Sequence, residues 1–259
     1  MFTWNPGAAR IALMLAGTVA TLAPAGAETL FPTFTSERPR WGVGLGALSE
    51  DEGYRGIGRE TELLPILYYE SDRFRLLGPQ AEYRVLGSKT SALNLRADFR
   101  FDGFEAADGA IFSGMRERKG SVFVGVSGRH AASWGELTFD LVKATSASRG
   151  VRGGVTYGVP FRHAAWTVYP KIGIEYFDRK FVDYYYGVGA AEVRPDRPAY
   201  RGKASVNLDL GVDLQYELGA NHTVLGSIKY RGFGSAIKDS PLIEKSGSPR
   251  FTLGYVYRF

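Results

Sequence analysis

The chain has 259 residues, with 32 Lys and Arg against 27 Asp and Glu, and it contains no cysteine, which excludes a disulfide framework and thiolate metal centres. The formal charge of +5 is spread singly among acids and aromatics, a distribution that gives no basic face for nucleic acid. With mean hydropathy at -0.15 and no apolar run after residue 27 long enough for a spanning helix, a membrane location would require a closed sheet, because hydrocarbon offers unpaired backbone groups no partner.

The first segment, 1–27, carries one cation, Arg10, then an apolar run from Ile11 to Ala23 and the small residues Ala25-Gly26-Ala27. That is the pattern of a secretory signal cut near Ala27, and the apolar run is too short for an anchor. Residues 28–39 are expected as a periplasmic N-terminal segment, and 40–259 as the folded body. Strands are predicted at Trp41–Leu48, Leu63–Tyr69, Arg73–Leu77 and Gln80–Leu86, the last two divided at Gly78-Pro79, because proline cannot donate within a ladder. Ala92–Gly103 follows with strict alternation: Asn94, Arg96, Asp98, Arg100 and Asp102 on one face, Leu93, Leu95, Phe99 and Phe101 on the other. Ser121–His130, Trp134–Ala144, Gly150–Pro160, Trp166–Phe177, Val206–Glu217, Thr223–Phe233 and Arg250–Phe259 complete the set.

These strands define an all-β fold, a transmembrane antiparallel up-and-down barrel of about 12 strands, with 10 as the alternative if Trp41–Tyr69 lies partly outside the wall. Short links (71–72, 87–90, 131–133, 162–164, 219–220) alternate with long ones (49–61, 104–120, 178–203, 234–249), as periplasmic turns alternate with surface loops in outer-membrane barrels. Trp41, Trp134 and Trp166 each open an outward-going strand, which places them in a periplasmic aromatic girdle. The last strand carries Tyr255, Tyr257 and Phe259 on one face. That ending resembles the signal by which the barrel-assembly machinery recognises its substrates.

The register points Arg96, Asp98, Arg100, Asp102, Lys171, Glu175, Asp209, Asp213, Lys229 and Arg231 into the lumen. Their signs nearly balance, so a lattice of ion pairs filling the barrel is expected ahead of a wide pore. The loop 178–203 gathers Phe181, Tyr184, Tyr185 and Tyr186 beside Arg194 and Arg197, residue types favoured at binding hot spots. A loop folded inward as a plug is the alternative. Gly42-Val43-Gly44-Leu45-Gly46 lies within an alternating strand and has no following helix, so it is not a dinucleotide loop. His130, His163 and His222 have no metal-ligand spacing, and no serine-histidine arrangement suggests a nucleophile. No cofactor and no catalytic residue are expected.

Several stretches together resemble the MipA/OmpV family of outer-membrane proteins: Leu64–Glu70, Arg100–Phe104, Phe181–Val188, Arg197–Tyr200, Asp239–Leu242 and Tyr257–Phe259. The resemblance implies a non-enzymatic barrel surrounded by outer-membrane lipid and lipopolysaccharide, acting as a scaffold between a lytic murein transglycosylase and a penicillin-binding protein. A surface receptor, adhesin or narrow solute channel is the alternative role. A soluble periplasmic β-protein is the reading the alternation has to be tested against.

Overall fold

The computed structural model describes residues 40–259; the expected signal (1–27) and the segment 28–39 lie outside the described residues. Twelve wall strands follow one another around the sheet: β1 (Arg40–Glu50), β2 (Glu60–Glu70), β3 (Phe74–Leu77), β4 (Gln80–Gly87), β5 (Ser91–Arg100), β6 (Ser121–Ala132), β7 (Gly135–Ala144), β8 (Val151–Gly158 and Phe161–His163), β9 (Trp166–Phe177), β10 (Ser205–Leu218), β11 (His222–Gly232) and β12 (Gly247–Arg258). Every strand pairs antiparallel with its chain neighbours. β12 then pairs with β1, Val43 opposite Tyr257 and Ser49 opposite Phe251, which closes the barrel.

The ten-strand alternative fails because β1 and β2 pair along their whole length, from Arg40 opposite Glu70 to Glu50 opposite Glu60. β8 is a single wall strand with a local break. Both of its segments pair with β9, Gly158 opposite Lys171 and Phe161 opposite Val168, and the interruption falls at Pro160, which has no N–H to give. The expected division of 73–86 is present as a short hairpin whose tip is Gly78-Pro79. Gly78 adopts a φ of +56°, a conformation that favours glycine.

The burial pattern is that of a soluble protein turned inside out. Leu253 is 61% exposed and Val206 59%, whereas Arg152 and Arg96 are each 4% exposed and Asp213 is fully buried. A continuous apolar exterior of this kind has a solvent only in lipid, which removes the soluble β-protein reading. Exposed aromatics border the apolar band. At the short-turn end Trp41 packs on Tyr69 with ring centroids 4.4 Å apart, Trp166 on Tyr216 at 4.5 Å and Trp134 on Tyr157 at 5.8 Å. Phe99 and Phe101 meet at 4.5 Å at the other end. The short turns mark the first end as periplasmic.

The long connections differ from the sequence reading, which placed no helix in them. They hold α1 (Arg179–Tyr186), α2 (Ser235–Lys238) and 3-10 turns at Ala110–Phe112 and Ala190–Glu192. Asp178 starts α1, its carboxylate accepting from Phe181 N at 2.8 Å, so the first turn is capped by side chain as well as by packing. These connections fold together over the outer mouth. Phe104, Ile111 and Phe112 of one loop join Phe181, Val182 and Tyr185 of α1, together with Ile237, Leu242 and Tyr54, in one buried cluster. A second, smaller cluster of Ile66, Tyr68, Leu77, Leu225 and Val256 fills the lower lumen.

Candidate functional site: an ion-paired lumen under a folded cap

Alternation puts most wall charges on the inner face, and closure of the barrel decides which charges meet. Arg152 of β8 is the centre. It donates to Asp98 of β5 at 3.3 and 3.1 Å and to Glu175 of β9 at 3.0 Å. Asp98 also accepts from Arg96 at 2.8 Å. Glu175 is shared further with Arg100 at 3.6 Å and with Arg231 of β11. Arg231 in turn donates to Asp209 of β10 at 2.9 and 3.1 Å, and Asp209 receives Lys229 at 2.7 Å. Arg100 makes a two-point pair with Asp102, at 2.6 and 2.9 Å. The result is a belt of alternating charge from β5 to β11 across the inside of the wall.

Nearer the periplasm the pairs are more local. Lys171 donates to Asp213 at 2.5 Å, and Ser227 donates to the same carboxylate at 2.7 Å. Glu82 accepts from Arg75 at 2.6 Å and from Ser127 at 2.7 Å. Removing such charges from water costs several kcal/mol each, roughly, unless they are paired and hydrogen-bonded. The pairing is therefore what allows a polar interior inside a lipid-facing wall.

The cap is held by a second set of contacts. Arg118 donates to both Glu192 oxygens at 3.0 and 2.8 Å and to Tyr184 O at 2.7 Å, joining the 104–120 loop to the one carrying α1. Burial pushes the Glu192 carboxyl up, but the hydrogen bonds from Arg118 and from the Arg116 and Gly189 N–H groups prevail and hold it below the usual carboxylate range. Arg197 is buried and donates to three carbonyl oxygens, those of Glu192 at 2.9 and 2.6 Å, Ser113 at 3.1 Å and Ile111. Ser240 donates to Tyr186 O at 2.7 Å and Tyr200 to Ala236 O at 2.9 Å, tying α2 in.

Of the loop residues singled out in the sequence, Phe181, Tyr185 and Arg197 are buried within the cap, and Tyr184 and Tyr186 are half-buried. Arg194 lies at the surface, paired with Asp196 at 2.8 Å. Burial raises Tyr185 and Tyr186 above the usual phenol range, so both hydroxyls stay protonated. Tyr255, Tyr257 and Phe259 are exposed on the outer surface at the periplasmic end. Sequence reasoning did not single out Arg118, Glu192 or Tyr54. The first two are too far apart in the chain for any local signal.

Beneath the cap lies a cavity of about 130 Å³, lined by Glu50, Glu52, Tyr54, Glu60, Glu62, Asp98, Arg100 and Arg152 among others. A smaller one of about 30 Å³ sits below Tyr185 and Tyr186. Glu50 is paired with Arg250 at 2.5 Å. Burial pushes the Glu52 carboxyl well above the usual range, and the nearby Glu50 and Asp102 charges raise it further.

A closed antiparallel barrel with an apolar exterior, aromatic borders and an ion-paired interior is an outer-membrane β-barrel. The chain belongs to the MltA-interacting protein MipA family, whose sequence model matches residues 43–259. It is 26% identical over 223 residues to the MltA-interacting protein of Escherichia coli K12, covering 84% of this chain and 89% of that one. To outer membrane protein OmpV of Vibrio cholerae it is 22% identical over 210 residues, covering 80% and 82%. Among solved structures, an outer membrane channel from Pseudomonas putida F1 is similar at a TM-score of 0.47 and 11% identity, over 92% of this chain and 100% of that one.

Proposed function

We propose that this protein is a non-catalytic platform in the outer membrane that holds murein-remodelling proteins at its periplasmic side, a lytic murein transglycosylase first and a penicillin-binding protein with it. The observation that carries the reading is the filled barrel. A lumen crossed by the Arg152 belt and roofed by the α1 cap is built for mechanical permanence rather than for diffusion of solutes. The name of the Escherichia coli relative points to the first partner.

Peptidoglycan lies on the side of the short turns, so the contact surface has to be made from those turns, the ring of Trp41, Trp134 and Trp166, and residues 28–39. Deleting 28–39 from the assembled protein is expected to abolish co-purification of the transglycosylase; retention at the full level would refute this version. Surrounding lipopolysaccharide and the barrel-assembly machinery, engaged through Tyr255, Tyr257 and Phe259, complete the proposed partners. The competing roles, a narrow channel or a surface receptor using Tyr184, Tyr186 and Arg194, predict steady single-channel current or specific ligand capture. A well-folded protein in planar bilayers is expected to show no steady current.

A further inference from the structure

The barrel wall is incomplete on one side. β3 pairs with β2 only from Tyr68 to Glu70, and the last contact above it is Gly78 N donating to Leu67 O at 2.9 Å. Across the hairpin, Phe99 N donates to Pro79 O at 3.1 Å. Above Gly78-Pro79, therefore, residues 60–66 of β2 pair only with β1 among the described residues. Two strands are missing between β2 and the outer end of β5, a gap of about 14 Å at the usual strand spacing. The loop after β1 bridges the top, where a side-chain carbon added at Gly109 would lie 2.1 Å from Ile57. The opening has a floor, two jambs and a lintel.

The sequence removes one donor from that open edge. In an antiparallel strand, alternate residues aim both backbone groups at the same neighbour. Leu67 O points to the hairpin, so the backbone of residue 65, two positions earlier, points into the gap. That residue is Pro65, which has no N–H to leave unsatisfied. The gap lies at the level of the outer half of the apolar band, since Leu63 stands opposite Ala47, which stands opposite the lipid-facing Leu253. Bare sheet edge is not tolerated against hydrocarbon, except where it borders a hydrated cavity. The cavity of about 130 Å³ lies directly behind it, with Ile57, Pro79 and Phe99 in its lining, and that is room for on the order of ten waters or a small polar head group.

Charge decides what the opening would admit. The neighbouring carboxylates are neutralised, Asp98 by Arg96 and Arg152, and Glu50 by Arg250. Glu52, Glu60 and Glu62, by contrast, have no ion-pair partner among the described residues, and Glu60 and Glu62 stand at the mouth on the jamb formed by β2. Apolar groups frame the same mouth, Phe99 and Phe101 opposite and Ile57 above. Unneutralised carboxylates beside an aromatic lip suit a positive head group carrying an apolar body.

We propose that the gap between β2 and β5 is a lateral window through which a cationic amphiphile, an organic ammonium with an apolar tail, passes from the outer leaflet into the cavity, its head group held by Glu60, Glu62 and Glu52. The window is independent of the platform role, since it lies in the outer half of the wall, away from the periplasmic turns. Two measurements on the protein in lipid nanodiscs test it. The chain has no cysteine, so a single Leu64→Cys, on the inward face behind the window, can be labelled with a fluorophore and exposed to lipids bearing nitroxide on the acyl chain. Its quenching is expected to approach that of the outward-facing L253C and to exceed several-fold that of T138C, which faces the lumen behind intact wall. Shielding equal to T138C would overturn the window. A fluorescent dodecylammonium probe is expected to bind saturably, and E60Q/E62Q to weaken it at least fivefold while leaving a dodecyl sulfonate of equal length unaffected. No saturable ammonium binding, or the same change for both head groups, would overturn the ligand class.

Discussion

Arg152 offers a direct measure of how far the interior depends on its charge lattice. The Arg152→Met substitution removes two ion pairs, to Asp98 at 3.1 Å and to Glu175 at 3.0 Å, from a site where all three side chains are buried. Breaking a buried pair by deleting one partner costs about 3–5 kcal/mol, because the remaining charge is left uncompensated. Here Asp98 keeps Arg96, and Glu175 keeps Arg100 and Arg231, so the lower end, about 3 kcal/mol, is expected. The guanidinium also lies over the Phe123 ring at 5.5 Å, a contact the thioether of methionine largely replaces. The assay is urea unfolding of the barrel in lipid vesicles, followed by its folded mobility in unheated gels. A cycle with Asp98→Asn isolates the direct interaction, expected at about 1–3 kcal/mol of coupling. A loss under about 1 kcal/mol together with zero coupling would mean that water of the adjoining cavity screens these groups, and the account of an interior held by its ion pairs would fall with it.

Three further outcomes concern the cap. Gly103→Ala is expected to loosen it, since Gly103 has a φ of +141° and an added side-chain carbon would lie 1.9 Å from Arg118 O; faster proteolysis between residues 104 and 120 with unchanged barrel mobility is the readout. Arg197→Ala leaves the carbonyls of Ile111, Ser113 and Glu192 without their shared donor and should cost the cap about 2–3 kcal/mol, seen as increased hydrogen exchange in residues 188–200. Lowering pH acts through Glu192. Its folded carboxyl is held below the ordinary value of 4.5, so its contribution is complete above that value and is lost as pH falls through the depressed folded value. Protection in the same segment, measured relative to the intrinsic exchange rate at each pH, should fall on going from about pH 6 to about pH 3, and E192Q should abolish that acid-dependent loss.

The barrel was legible in the linear sequence because its cause is local. A strand whose side chains alternate between lipid and an enclosed interior must alternate in chemistry at a period of two, and Ala92–Gly103 and Val206–Glu217 do so almost without exception. Short and long connections alternate for the same reason, and Gly78-Pro79 divides its strand because proline lacks a donor. The face on which each charge lies follows from that period alone.

What the lumen charges do was not legible, because Arg152 and Asp98 are 54 residues apart and Arg118 and Glu192 are 74 apart. Such meetings depend on strand tilt and on closure of β12 against β1, which no window of sequence contains. The loops gave even less warning. Phe181 and Tyr185 in α1 look like exposed hot-spot residues until Phe104, Phe112 and Tyr54 arrive from other loops to cover them. The short β3–β4 hairpin was visible as a break in the pattern, but only the closed wall shows the gap it leaves beside β2. Period along a strand is a property of neighbouring bonds, whereas pairing across a lumen is a property of the whole closed surface, and the sequence writes out only the first.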